Sequence, residues 1–513
     1  MEQGLREKIG QLFMVGFDAL QADEHIKALI REKKVGGVIL FRRNVHTPAQ
    51  VSALCRELQE INAEVSDIPL LISIDQEGGM VMRIEQGVTP IPAAMAFQAA
   101  GSIEDCERMN QISGDEMRQV GINMLLAPVL DVNNNRNNPV IGVRAYGEDA
   151  ATVIDYGMAA MRGQRASGVA VTAKHFPGHG DTAIDTHYAM ALVPHDKERL
   201  RAVELAPFRA AIAGGVDAIM TAHVVFPAFE ADTSVPATLS KGVLTDLLRG
   251  EMQYKGVVIT DCLEMAAIAD GIGIPQGAIA TLQAGADIVL ISHREAQQTA
   301  AIEAVIAAVE RGDIAISRID AACARVAELK RNRAVRDWRE RPVAPPALMQ
   351  PAAMALSQLL QKAALRVQGD YRPLDASLPV TLLTVEVRSR SEIDEVALGR
   401  NKEARSSMLP ALLEAGLDVS EYALSAEALD DEVNEAIAFA QGARQIVLQT
   451  YNAMFVDGQR RLVEALPHDK LWLVAGRLPY DLDLAPHAQG RLAAFGCRPA
   501  ALVPVVDKLA GKA

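Results

Sequence analysis

The sequence predicts an α/β protein, a (β/α)8 barrel followed by a smaller α/β sandwich. Three observations predict it. Eight short apolar runs recur along the first two thirds of the chain, helical patterns lie between them, and a proline-dense segment then precedes a second round of β/α alternation. The candidate strands are Leu12–Phe17, Val35–Phe41, Pro69–Ile74, Asn123–Leu130, Val169–Ala173, Ala218–Ala222, Val257–Thr260 and Asp287–Ile291. Most are rich in Val, Ile and Leu with little alternation, as strands covered on both faces should be. The intervening helices are read at Pro48–Val65, Ile103–Val120, Ala150–Ser167, Lys197–Gly214 and Leu239–Met252. Eight β runs alternating with helices argue for a TIM-type barrel, with a doubly wound open sheet as the structural alternative.

A further helix is expected over Ser317–Arg331. Then the composition shifts. Val343–Pro351, VAPPALMQP, is dense in proline, which fixes φ and removes donors, so it reads as a linker or strap. The expected organisation is a barrel over 1–335, a linker over 336–360 and a sandwich over 361–513, with strands at Pro379–Val387, Gln445–Gln449 and Leu471–Ala475. Eight of the ten histidines precede residue 300, which places chemistry in the first unit.

Composition excludes several functions. Aromatic residues are 4% of the 513, with two Trp, which weighs against a long polysaccharide groove or a single-stranded nucleic-acid channel built on ring stacking. The net charge is −14 and no basic run stands out, which weighs against nucleic acid or an anionic membrane as partner. The five cysteines, Cys55, Cys106, Cys262, Cys323 and Cys497, are odd in number and never in a C-x-x-C, as reduced thiols in a cytosol would be. Met1–Gly10 has no apolar core or cleavage site, and no run reaches the length of a membrane span, so a cytoplasmic location is expected. The sequence sets no oligomeric state.

A parallel barrel concentrates function at the C-terminal ends of its strands. Those ends carry Asp75-Gln76-Glu77-Gly78-Gly79 and then Arg83; Asp131, with Gly142-Val143-Arg144 beyond it; Lys174 and His175; His223; Asp261; and Ser292 with His293. Each alone is explained by a cap or a structural ion pair, but these residue types are rarely placed together at buried strand ends without a role. The densest segment is Lys174–His187, KHFPGHGDTAIDTH, with three His, two Asp and one Lys in fourteen residues. Two chemistries fit it. In one, His175, His179, Asp181 and His187 ligate a metal, although no compact ligand signature is present and Lys174 would repel a cation. In the other, Asp185 and His187, two apart on an extended segment, form an acid–base pair in which the carboxylate fixes the imidazole tautomer. Asp261 then fits as a carboxylate nucleophile, although Asp is also a favoured N-cap.

Together, KHFPGHGDTAIDTH, DQEGG, PVLDVNNNRNNPVIGVRAYGED and VVITDCLEM, four separated motifs in order, resemble the bacterial β-N-acetylglucosaminidases of glycoside hydrolase family 3. The resemblance covers the first 330 or so residues; beyond them GRLPYDL, Gly476–Leu482, is similar to the sandwich that follows the barrel in many members. It implies Asp261 as nucleophile of a covalent glycosyl-enzyme, His187 as acid/base and Asp185 as its dyad partner. It implies Asp75, Arg83, Arg144, Lys174 and His175 as the groups that bind hydroxyls of the terminal sugar. No cofactor or catalytic metal is expected. The implied substrate is a small N-acetylglucosamine-containing glycoside, such as a cell-wall fragment being recycled. A phosphorylase, a metal-dependent hydrolase and a non-catalytic sugar-binding protein are the rival readings. The chain departs from the family at Thr186, at Ala145-Tyr146, and at Met80-Val81-Met82, where Met stands in place of the usual Arg and Gln; the last bears on hydrogen bonding at the aglycone-side rim.

Overall fold

The computed structural model describes residues 2–183, 190–386 and 406–512. Eight strands form one parallel sheet: β1 (Phe13–Val15), β2 (Gly37–Leu40), β3 (Leu71–Ile74), β4 (Met124–Leu125), β5 (Ala170–Phe176), β6 (Ala218–Thr221), β7 (Val257–Ile259) and β8 (Val289–Ile291). Each pairs with its sequence neighbours, β1 also pairs with β8, and a parallel bridge between Ile259 and Ile288 brings β7 to β8. The ring closes as a barrel, and the open-sheet alternative is set aside. Every residue of these eight strands is buried, between the barrel interior and the surrounding helices, which is why the runs show no alternation.

The helices begin where local chemistry starts them. Thr47, Ser102 and Asp149 accept from backbone N–H groups of Gln50, Asp105 and Thr152 at the starts of Pro48–Ala63, Ile103–Gln119 and Ala150–Ala166. The helix expected over Lys197–Gly214 is two, Lys197–Ala202 and Leu205–Ala213. Pro207 explains the break, since its ring has no N–H for the Val203 carbonyl and clashes with it. The helix expected over Leu239–Met252 is a π-helix over Gly242–Glu251.

After Trp338 the chain runs across the barrel. Arg341 donates to Ser52 Oγ at 2.5 Å, and Met349 N–H donates to Glu116 at 2.8 Å. The helix Pro351–Ala364 follows, with Leu356 and Leu360 in the barrel core. A second sheet then forms from β9 (Arg366–Gln368), β10 (Val380–Glu386), β11 (Val419–Ser425), β12 (Gln445–Thr450), β13 (Leu471–Ala475) and β14 (Gly490–Ala493). Its order is β9-β14-β13-β12-β10-β11, parallel except for the β9 edge. Leu382 and Val474 lie in the apolar cluster that includes Leu502 and Val505 of the helix Pro499–Leu509, while Leu383 and Leu473 lie in the cluster that includes Leu462 of the helix Asp457–Ala465.

The two sheets share an apolar seam. Ala93, Met95, Ala96, Ala99 and Val143 of the barrel pack with Leu478, Tyr480, Leu482 and Phe495. Asn133 Nδ2 donates to Tyr480 Oη at 3.0 Å, Tyr480 Oη donates to Glu148, and Arg136 pairs with Asp483 at 2.5 Å. Among the described residues no helix is long and apolar enough to cross a membrane.

Candidate active site

Asp75, Arg83, Arg144, Lys174, His175 and Asp261 line one cavity at the C-terminal mouth of the barrel, together with Glu77, His179 and apolar walls that include Phe41 and Met265. Asp185 and His187 lie outside the described residues. The described residues arrive on separate elements, apart from Lys174 and His175, which share one strand. Lys174 and His175 end β5, and the peptide between them is cis. Asp75 follows β3 directly. Arg83 follows a two-residue-deep hairpin, Gln76–Gly78 against Val81–Met82. Arg144 closes the 3-10 turn Gly142–Arg144, and Asp261 stands just past β7. The next helix starts at Ala266 with Met265 as its N-cap, so Asp261 is not a cap; its Oδ1 accepts from Cys262 N–H at 2.7 Å.

The charged groups hold one another. Arg144 donates through Nε and Nη2 to the two Glu77 oxygens at 2.9 and 2.8 Å, a bidentate pair. Lys174 Nζ meets Asp75 Oδ1 at 2.7 Å and Glu77 Oε1 at 2.6 Å. Arg83 Nη2 lies 3.5 Å from Asp75 Oδ2, and its guanidinium sits 5.5 Å over the Phe41 ring. Burial raises the pKa of Glu77, but the Arg144 and Lys174 charges outweigh it and hold the carboxyl far below its usual range. Burial disfavours the Lys174 cation, yet Asp75 and Glu77 more than compensate and raise its pKa.

His175 is held from behind. Its Nδ1 is 2.7 Å from Asp131 Oδ2, and Asp131 Oδ1 accepts from the backbone N–H of His175 at 3.2 Å and of His179 at 2.6 Å. Burial raises the Asp131 pKa, but His175 outweighs it, so the net shift is downward. His179 is buried and pushed down to about 4, chiefly by that burial.

Two further groups brace the Asp261 segment. His223 Nε2 donates to the Cys262 carbonyl at 2.8 Å, and its Nδ1 faces Thr238 Oγ1 at 2.8 Å. It is not among the cavity-lining residues. Glu264 accepts from the backbone N–H of Ser292, His293 and Arg294 at 2.8, 2.6 and 2.7 Å, joining the β7 and β8 loops. Burial opposes its charge, but those bonds and His293 bring its pKa down to about 2.

The metal reading of the loop finds little support in this geometry. His175 turns to Asp131, and Asp181 lies 2.6 Å from His195 Nε2. Among the described residues the group with metal-ligand spacing is Cys262, Glu264 and His293, where the carboxylate already serves three backbone donors.

The sequence reading assigned no role to Glu77, Asp131 or Glu264. Glu77 and Asp131 stood in the strand-end segments, but their roles depend on partners 44 to 97 residues away. Of the segment Met80-Val81-Met82, Val81 lines the cavity, while Met80 is 1% exposed and packed with Cys497 and Tyr451 of the second sheet's domain.

Residues 4–329 match the model of the Glycosyl hydrolase family 3 N terminal domain. The chain is 44% identical to a glycoside hydrolase family 3 beta-N-acetylglucosaminidase from Paenibacillus sp. str. FPU-7, over 99% of this chain and 97% of that one, with a TM-score of 0.92. It is 37% identical over 327 residues to the Beta-hexosaminidase A of Pseudoalteromonas piscicida, a match spanning 60% of this chain and only 54% of that protein's length. It is 36% identical over 290 residues to a Beta-hexosaminidase of Stenotrophomonas maltophilia (strain K279a), spanning 55% of this chain and 84% of that protein. The barrel, the charged cavity at its mouth and these similarities lead to one conclusion: the chain belongs to glycosyl hydrolase family 3.

Proposed function

We propose that this protein is a retaining exo-β-N-acetylglucosaminidase that removes terminal non-reducing N-acetylglucosamine from small glycosides such as peptidoglycan fragments. The observation that carries the reading is the placement of Asp261 in one cavity with Asp75, Arg83, Arg144, Lys174 and His175. A carboxylate nucleophile there faces a polar grip suited to one sugar ring. Asp261 attacks C1 and the bond to the leaving oxygen breaks as His187, oriented by Asp185, gives that oxygen its proton. His187, now neutral, then takes a proton from water as the water attacks C1, which releases Asp261 and retains configuration. This differs from the usual pair of carboxylates in that an imidazolium supplies the proton. Closure of the glycine-bearing loop over bound sugar would exclude water from the first step. The cavity mouth has few rings and many charges, which suits an exo-acting site for a soluble fragment. The scatter of the five cysteines, with Cys55, Cys106 and Cys497 buried, suits a reducing, cytoplasmic compartment.

The test is hydrolysis of a panel of p-nitrophenyl β-glycosides, with and without phosphate, by the wild type and Asp261→Gly. The expected result is preference for the β-N-acetylglucosaminide, free sugar as product, and a loss of about a thousandfold or more in Asp261→Gly with the fold retained. Preference for β-glucoside, sugar 1-phosphate as product, or near-wild-type turnover by Asp261→Gly would overturn it.

A further inference from the structure

The hairpin that carries Glu77 and leads to Arg83 has two faces. One side lines the sugar cavity through Glu77, Val81 and Arg83. Its tip, Met80, is enclosed by Val385, Ala426, Tyr451 and Cys497, all from the domain of the second sheet. Cys497 Sγ lies 3.6 Å from Met80 Sδ. The following residue, Arg498, donates Nη2 to the Met80 carbonyl at 2.8 Å and pairs with Glu85 Oε1 at 3.0 Å. Glu85 Oε1 in turn lies 3.6 Å from Arg42 Nη1, which donates to the Arg83 carbonyl at 3.0 Å. One guanidinium from the C-terminal domain is thus linked to the backbone on both sides of the Val81–Met82 strand, directly at Met80 and through Glu85 and Arg42 at Arg83.

We propose that Arg498 is a positioning residue, through which the C-terminal domain sets the geometry of the terminal-sugar pocket without touching the sugar. This rests on the functional reading above. Within the barrel the hairpin is held mainly at its base, where Gln76 pairs with Met82 and Gly78 with Val81 across a register irregularity and the Gln76 side chain bonds the backbone of Arg83 and Ile84, whereas the carbonyl of its tip residue, Met80, is held by Arg498. Yet Glu77 has to stay within 2.6 to 2.9 Å of Lys174 and Arg144 for the grip to stay assembled. Displacing a binding group by about 1 Å is enough to cost a large factor in binding or rate. General adhesion between the domains is supplied elsewhere, by the seam around Tyr480 and by the exposed Arg136–Asp483 pair. Arg498 is different in kind, because its hydrogen bond ends on the hairpin backbone.

The test uses the full-length protein and the variants Arg498→Ala, Arg498→Lys and Asp483→Asn. KM and kcat are measured on p-nitrophenyl N-acetyl-β-glucosaminide, with the inhibition constant for free N-acetylglucosamine and the thermal midpoint. Arg498→Ala is expected to raise KM and the inhibition constant by about tenfold with a much smaller fall in kcat, the mark of lost sugar binding. Arg498→Lys should recover most of this, and Asp483→Asn should change neither constant. An unchanged inhibition constant in Arg498→Ala, or an equal rise in Asp483→Asn, would overturn the proposal. If Arg498→Ala does not fold, Glu85→Gln decides in the same way: a raised inhibition constant supports the role and an unchanged one removes it. If the wild type prefers another β-glycoside, the functional reading falls, and the same KM comparison on that glycoside still decides the part played by Arg498.

Discussion

Glu77 joins three chain segments at one point, the β3 hairpin that bears it, the Arg144 turn and the end of β5 at Lys174. The sequence marked Arg144 and Lys174 through their motifs, while the carboxylate between them had no signal beyond its place in DQEGG. Ion pairing is a property of partners, and partners distant in sequence leave no local pattern. The same holds for Asp131 behind His175. His179 carries a pH prediction of its own. Its pKa falls from 6.5 to about 4 on folding, because burial penalises the cation. Below pH 6.5 the unfolded chain therefore takes up a proton that the folded chain refuses. The stability this group contributes is complete above 6.5 and is lost as pH falls toward 4, at a cost on the order of 3 kcal/mol. Glu77 acts in the same direction, but only below its ordinary value of 4.5. Urea melts at pH 7 and pH 4.5 should show a clearly smaller stability difference for His179→Asn than for the wild type. Equal differences would mean that this histidine does not set the acid limit.

At the scale of elements, legibility follows burial. The eight barrel strands were readable because both faces are covered, so each is a plain apolar run. β9, β11 and β14 were not. β9 is an exposed three-residue edge, β11 reads VSEYALS with most of its side chains half-buried or exposed, and β14 is a four-residue GRLA. The hairpin after β3 was hidden for another reason. It is too short for a periodic pattern and depends on the backbone freedom of Gly79, whose φ is +56°. A Cβ at Gly79 would lie 2.5 Å from Ala93 Cβ and 2.8 Å from Ala93 Cα. Gly101 also has a positive φ, +82°, but a Cβ there meets nothing within 4 Å. Gly101→Ala should therefore cost only the conformational term, about 1 kcal/mol, with KM unchanged. Gly79→Ala should cost about 1–3 kcal/mol and also raise KM on an aryl glycoside, because the clash shifts the segment bearing Glu77. Equal KM values for the two variants would show that the hairpin tolerates the shift.

At the scale of the whole molecule, the barrel and the second sheet are not independent. Residues of the barrel's Ala94–Ala100 helix and Val143 of the Arg144 turn belong to the apolar cluster of the second domain, while Leu356 and Leu360, in the helix leading to it, belong to the barrel core. Exposing either set to water would cost free energy in proportion to the apolar area uncovered. Calorimetry of the full chain should accordingly give one cooperative transition, with the calorimetric and van't Hoff enthalpies in agreement. Two resolved transitions would show that the seam is too weak to couple the units. The sequence signalled two units through the prolines of Val343–Pro351, but not their coupling, because the seam is assembled from residues that each look like ordinary helix or turn.

The burial of Met80 has a diagnostic consequence. A relative such as the Stenotrophomonas protein, whose barrel match already fills 84% of its length, has little chain left for a second sheet. In a barrel with no second domain above it, a hairpin tip left open to water would favour a polar side chain. Here the tip is roofed over, and the residue is a thioether against a thiol. The character of this one position, wet or greasy, would then serve as a tell-tale for domain content, readable from within the barrel sequence.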